Sequence, residues 1–233
     1  MIYRNLTLIG TSHIARQSLK DVKVAIELGQ PDIICLELDI KRYHGIQEKK
    51  KGQISLYDIK RVGLKGFLFS LLGAWAEKKL GNMVGVAPGS EMLTAIKLAK
   101  KYKKQISLID QDIEITLKKL SKAISWKERW NFISDIIKAF IFRKNKIEFD
   151  LSKVPSKEII GKLIGEVKQK YPNIYRVLVQ ERNEIMAKNL AHLMAKNPEK
   201  KILAIIGAGH EEEMLELIEK ESEPEIKYTY TIS

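Results

Sequence analysis

The chain is poor in cysteine, proline and aromatic residues, and it has no long apolar run. One cysteine, Cys35, among 233 residues excludes an intrachain disulfide framework and any thiolate-rich zinc site. Flanked by Ile34 and Leu36, it reads as a buried strand residue. Aromatics make up only 7%, and Tyr102 is the one aromatic inside a basic cluster, so the basic groups lack the stacking partners of a single-strand nucleic-acid groove. The longest nearly apolar stretch, Gly66 to Ala76, is broken by Ser70 and falls short of the roughly 20 residues that span a bilayer. A buried or interfacial helix is expected there, with any membrane contact peripheral. Residues 1 to 9 carry Arg4 and Asn5 in a β-like pattern, and no small-residue cleavage site follows. No secretory signal is expected, and the cytoplasm is the expected compartment.

What is present is an ordinary globular balance, 45% hydrophobic and 30% charged, long enough for one well-buried core. A single α/β domain over residues 1–233 is the expectation. The net charge of +12 comes in short groups: Lys49 to Lys51, Lys100 to Lys104, Lys118 to Lys122 and Arg143 to Lys146. These read as solvated helix faces, and nucleic acid is not an expected partner.

Four apolar runs, Leu6 to Ile9, Ile33 to Leu38, Ile106 to Ile109 and Ile202 to Ile206, have the character of strands buried on both faces. Between the first two, Leu19, Val22 and Ile26 share a helical face that Gly29 and Pro31 stop, which makes a β-α-β unit. Residues 113 to 199 read as a long helical insertion, with Pro155 and Pro172 as breakers. Ile226 to Ile232 alternates as a half-buried edge strand does. A mainly parallel sheet flanked by helices follows.

Ligands bind such sheets at the carboxyl ends of the strands. There the sequence places Gly10-Thr11-Ser12-His13, Glu37-Leu38-Asp39, Asp110-Gln111-Asp112 and Gly207-Ala208-Gly209-His210. The matched Gly-x-x-His segments set two imidazoles near helix N-termini, where the helix dipole favours the neutral, ligating form. Two imidazoles and a carboxylate suit zinc, manganese, cobalt or iron, and an open coordination position turns bound water into a nucleophile. A nucleotide fingerprint at Gly207 to Glu212 fails, because Glu212 stands where glycine is needed and Glu211 to Glu213 repel a pyrophosphate. On residues alone, Glu91 is as well explained by a first-turn acid complementing its helix, and Arg182 by a surface helix position. His44 and His192 have no matching partners. Trp75, Trp126 and Trp130 are expected to pack helices. The face of Phe132, Ile136, Ile137 and Phe140 is a candidate homodimer surface.

Six ordered blocks, GTSH, CLELDIKR, GVAPGSEM with AIKLAKK, LIDQDIEITLKKL, ERNEIMAKNL and IIGAGH, make nearly the whole chain resemble the TraB/PrgY family, which includes the animal TIKI proteins. The resemblance implies a fold related to the erythromycin-esterase/ChaN-like group. It also implies an active site in which His13 and His210 are the motif histidines, Glu37 the motif glutamate, Glu91 the acid of the Pro-Gly-x-Glu-Met block and Arg182 the arginine of the Glu-Arg block. TIKI proteins are regarded as metal-dependent proteases, and bacterial relatives are linked to shutdown of peptide pheromones. Gln111 departs from the family's usual arginine and Asn183 from its usual aspartate, while Glu211 to Met214 replace a more apolar turn. Many archaeal relatives continue into membrane helices, so this chain resembles the soluble core.

The expected function is therefore metal-dependent hydrolysis of short peptides, with His13, His210 and Glu37 as ligands and Glu37, Arg182 and Glu91 as catalytic groups. The competing expectation is a protein that sequesters a peptide or small ligand without cleaving it.

Overall fold

The strands are β1 (Ile2–Tyr3), β2 (Leu6–Thr11), β3 (Ile33–Leu36), β4 (Gln105–Leu108) and β5 (Ile202–Gly207). They form one sheet in the order β1-β2-β5-β3-β4. All neighbours are parallel except β1, a two-residue strand antiparallel to β2 that the sequence reading missed. This computed structural model describes residues 1–12, 15–48, 87, 89–141 and 156–222. His13, the Gly66 to Ala76 stretch with Trp75, and the expected strand Ile226 to Ile232 lie outside them.

The two-residue period of a strand sends alternate side chains to opposite faces. On β5, Leu203 and Ile205 meet Val22, Ile26, Met92 and Ile96, which come from helices α1 (Arg16–Gly29) and α3 (Ser90–Lys101), with α2 (Ile40–Gln47) between the two in sequence. Ile202, Ala204 and Ile206 face the other way, onto Met186, Leu190, Met214 and Ile218 of helices numbered below as α8 (Glu181–Lys196) and α9 (Glu211–Ser222). The result is an α/β fold with helices on both faces of the sheet. Each large side chain fully buried there contributes roughly 1.5–3 kcal/mol. Helix α1 ends at Gln30, whose φ of 45° and N–H to Ile26 O form the left-handed stop expected of Gly29. Strand β3 leaves the ladder sooner than expected, because Leu38 N turns back to Leu36 O at 2.7 Å.

The expected helical section comprises α4 (Ile113–Ala123), α5 (Trp126–Ile141), α6 (Lys157–Lys170), α7 (Pro172–Tyr175), a π-helical turn (Arg176–Gln180) and α8. Helix α5 starts with a capping box. Glu128 N donates to Ser125 Oγ at 3.2 Å, and Glu128 Oε2 accepts from Ser125 N at 2.8 Å. The same carboxylate also caps α7, accepting from Asn173 N at 2.7 Å and Ile174 N at 3.3 Å. One buried side chain therefore ties two helix starts together.

The expectation that Trp126 and Trp130 pack helices is not met: they are 71% and 63% exposed. Arg129 lies over the Trp126 ring at 5.2 Å. The apolar side of α5 is used elsewhere, with Phe132 edge-on to Tyr171 at 6.5 Å. The side chains of Ile136, Ile137 and Phe140 lie outside the described residues. Among the described residues, no helix is long and apolar enough to cross a membrane.

Burial raises the Glu128 carboxyl, but the Ser125 and Asn173 donors outweigh it and hold the group below the ordinary carboxylate value. Its contribution to stability is therefore complete above the unfolded carboxyl value and lost as pH falls through the lower folded one. Glu128→Ala is expected to cost roughly 3 kcal/mol at neutral pH in urea unfolding, with the deficit shrinking as pH falls below about 4. A deficit independent of pH would show that the carboxylate is not the stabilising form. Burial pushes the Cys35 thiol up to about 12, so iodoacetamide at mildly alkaline pH should label Cys35 only after denaturation.

Candidate functional site

Helices leave the sheet in opposite directions around β5. The chain after β2 enters α1, on the face where α3 also lies, whereas the chain after β5 enters α9 on the opposite face. Strand β5 stands between β2 and β3, so its carboxyl end is flanked by two points where the connections diverge, the usual place for a ligand crevice in a parallel sheet. Glu37 follows β3, Asp110 follows β4 by two residues, and His210 immediately precedes α9.

Glu37 is fixed twice. Its N–H continues the ladder to Ile205 O at 3.2 Å, and its Oε2 accepts from Gly207 N at 2.6 Å. A Cβ on Gly207 would stand 3.3 Å from that same oxygen, so the close approach depends on glycine. Arg182, in the first turn of α8, grips Asp110 with Nε at 3.0 Å and Nη2 at 2.8 Å. Its Nη2 also donates to Glu37 Oε1, and its Nη1 donates to Leu178 O at 3.1 Å in the π-helical turn. Nη1 further lies 3.4 Å from His210 Nε2. Arg42 adds a second guanidinium, 3.2 Å from Asp110 Oδ2. Burial opposes the Arg182 charge, but Glu37 and Asp110 more than compensate and hold it protonated more firmly than a free arginine.

A second line of contacts reaches His210 from behind. Its Nδ1 lies 2.6 Å from Asn183 Oδ1, Asn183 Nδ2 donates to Glu213 Oε2 at 3.2 Å, and the Tyr175 hydroxyl donates to Glu213 Oε1. Burial and the Glu213 carboxylate both raise the Tyr175 hydroxyl above its usual value, keeping it a donor. Tyr175 and Asn183 flank the π-helical turn. That turn holds one extra residue, so positions eight apart keep the phase of seven, or two α-helical turns. Both side chains therefore reach Glu213.

The structure brings together four sequence-predicted residues, Glu37, Asp110, Arg182 and His210. Glu91, 1% exposed in the first turn of α3, lies on the element that leads into β4. His13 belongs to the loop after β2 and lies outside the described residues. Sequence reasoning missed Arg42, Tyr175 and Glu213. Arg42 carried a faint signal, five positions beyond Glu37 in the first turn of the next helix.

Compared with known proteins, residues 4–225 match the TraB/PrgY/gumN family. The chain belongs to that family. An uncharacterized protein of Methanocaldococcus jannaschii is 35% identical over 93% of this chain and 54% of its own length. TraB domain-containing proteins of mouse and human are each 24% identical over 87% of this chain and 59% of theirs. The chain thus spans about half the length of the curated relatives it matches.

The donor set of this TraB-family site suits a divalent metal in kind. Glu37 Oε1 and His210 Nε2 stand 3.4 Å apart, close to the spacing of two ligands on a four-coordinate ion with bonds of about 2.0–2.1 Å. Among the described residues no group of three His, Cys, Asp or Glu is arranged to hold one. A guanidinium instead contacts both atoms. Replacing Arg182 by methionine leaves Glu37 and Asp110 buried without their shared cation, and is expected to cost roughly 3–5 kcal/mol in chemical denaturation. A cost below about 1 kcal/mol would mean that water or Arg42 takes over the pairing.

Proposed function

We propose that the chain is a metal-dependent hydrolase acting on short peptides, with its centre at Glu37, His210 and His13. The observation that carries the reading is the pairing of Glu37 Oε1 with His210 Nε2 at 3.4 Å, beside a buried arginine and at the divergence of the strand connections. A manganese, cobalt, zinc or iron ion held by His13, His210 and Glu37 would supply Lewis acidity that brings deprotonation of water toward neutral pH. Glu37 would accept the proton on Oε1, which already takes Arg182 Nη2, since Oε2 is committed to Gly207 N–H. Arg182 Nη1, whose contact with His210 is long at 3.4 Å, is the donor able to turn toward a carbonyl oxygen gaining negative charge. Glu91, buried in the first turn of α3, is kept as a candidate acid on the strength of the family blocks alone.

A shallow depression of about 710 Å³, lined by Lys119, Lys122, Arg176, Val177, Glu181 and Ile185, includes Glu181, the chain neighbour of Arg182, but none of Glu37, Asp110, Arg182 or His210. Its mixture of charged and apolar groups suits an extended peptide better than a small apolar ligand.

The competing reading, sequestration of a peptide without cleavage, is favoured by one feature. The Arg182 donors are all directed at protein atoms, so the cluster is stable as it stands. Metal content and turnover separate the two. Protein purified without chelator or a metal-binding tag is expected to hold close to one transition-metal ion per chain, lost in both His13→Ala and His210→Ala and regained by the parent on add-back. Glu37→Gln should lower peptide turnover by about 10²- to 10⁴-fold. A parent without metal, and unable to rebind it, sinks the hydrolase reading and leaves the sequestering one.

A further inference from the structure

The contacts behind His210 have a direction that the rest of the site does not explain. Each link permits one assignment of donor and acceptor. The Tyr175 phenol donates to Glu213 Oε1. Glu213 Oε2 accepts from the Asn183 carboxamide at 3.2 Å, and an ionised carboxylate only accepts. The nitrogen of the Asn183 carboxamide must therefore face Glu213, which leaves its oxygen facing His210 Nδ1 at 2.6 Å. A carbonyl oxygen cannot donate, so the ring proton resides on Nδ1. On the other side of the ring Nε2 lies 3.4 Å from both Arg182 Nη1, which only donates, and Glu37 Oε1, which only accepts, so the assignment rests on the Nδ1 side.

We infer that Tyr175, Glu213 and Asn183 form a directional hydrogen-bond chain that locks His210 as the Nδ1–H tautomer and presents the Nε2 lone pair toward Glu37. All three are positioning residues, acting through the imidazole. Free imidazole side chains favour the opposite, Nε2–H form, so the lock works against the intrinsic preference. It holds whether or not the site is hydrolytic, because it rests on donors and acceptors within the protein alone.

The chain also couples positions 183 and 213. Asn183 is neutral, and the negative charge that orients it sits one link further out, on Glu213. An aspartate at 183 would place two carboxylates about where Asn183 Nδ2 and Glu213 Oε2 now meet at 3.2 Å, an arrangement in which like charges oppose each other. Asn with Glu is a compatible pair, and Asp with Gln is another. Asp with Glu is not.

The test is long-range 1H–15N correlation of labelled histidine at about pH 8, above the usual imidazole value, with the His210 signals assigned by their loss in His210→Gln. The parent should show the Nδ1–H pattern, and Glu213→Gln a weaker preference for it, since glutamine can offer Asn183 either a carbonyl oxygen or an N–H. Glu213→Leu should shift the pattern toward the Nε2–H form. Asn183→Asp should unfold at lower urea than the parent and regain most of the loss when combined with Glu213→Gln. An Nε2–H pattern in the parent overturns the inference, as does an unchanged pattern in Glu213→Leu. If Asn183→Asp yields no folded protein, recovery of folding by Glu213→Gln supports the coupling, and the parent spectrum still decides the tautomer.

Discussion

One guanidinium holds the carboxyl-end edge of the sheet together. Arg182 reaches Asp110 after β4, Glu37 after β3, the Leu178 carbonyl on its own helical rod and the ring of His210 before α9. Burying an ion is costly unless its partners meet it with good geometry and complete its hydrogen bonds. Arginine can satisfy that condition here because its planar fork carries five donors in fixed directions, whereas lysine offers one compact charge. Two carboxylates and the guanidinium groups of Arg182 and Arg42 also balance formally, so the mutual attraction within the cluster offsets part of what each ion loses in hydration.

The placement of Arg182 depends in turn on features well away from the sheet. Glu128 fixes the start of α7, and the extra residue of the π-helical turn follows immediately. A continuous α-helix from Pro172 would rotate Asn183 by about 100° relative to Tyr175, and the two could not share Glu213. The turn also leaves the Leu178 carbonyl accepting from the Arg182 side chain. Local irregularity in the helix thus puts two adjacent residues, Arg182 and Asn183, to two tasks: one holds the carboxylates, the other aims the imidazole.

Much of this was legible in the sequence where one short-range rule governs the outcome. Four strands, helix α1, burial of Cys35 and convergence of Glu37 with His210 at one edge follow from apolar periodicity and from the residues that end each strand. The family blocks added Arg182, which helical spacing alone places on a surface face. Its true partners lie 72 and 145 residues away in sequence, and no local pattern reports such a pairing. Glu213 and Tyr175 were hidden for the same reason. The run of three glutamates reads in the sequence only as repelling a pyrophosphate, and it takes the fold to show that Glu213 accepts from Asn183 and Tyr175. The two-residue β1 is too short for any periodicity. Trp126 and Trp130 misled because aromatic residues four apart imply burial only when another element covers them.

Two departures from the family pattern share a physical logic that the structure makes visible. At position 183 a carboxamide replaces the usual carboxylate, and Glu213 supplies the negative charge one hydrogen bond further out. At position 111 glutamine replaces the usual arginine; its Nε2 donates to Thr116 Oγ1 at 2.8 Å while its Oε1 accepts from Lys119 Nζ at 3.4 Å. Lys119 is itself paired with Glu181 at 2.8 Å. In both cases the buried side chain is neutral and dipolar, and a full charge sits one side chain further out. Asn183 is 0% exposed and Gln111 8%, whereas the Lys119 side chain is 44% exposed. Desolvation falls most heavily on the innermost ion, so moving a charge outward by one side chain lowers that cost while a polar bridge keeps its orientation. The Glu37, Asp110 and Arg182 cluster then remains the place where full charges are buried together, and those are the charges that a reacting group at this edge would meet.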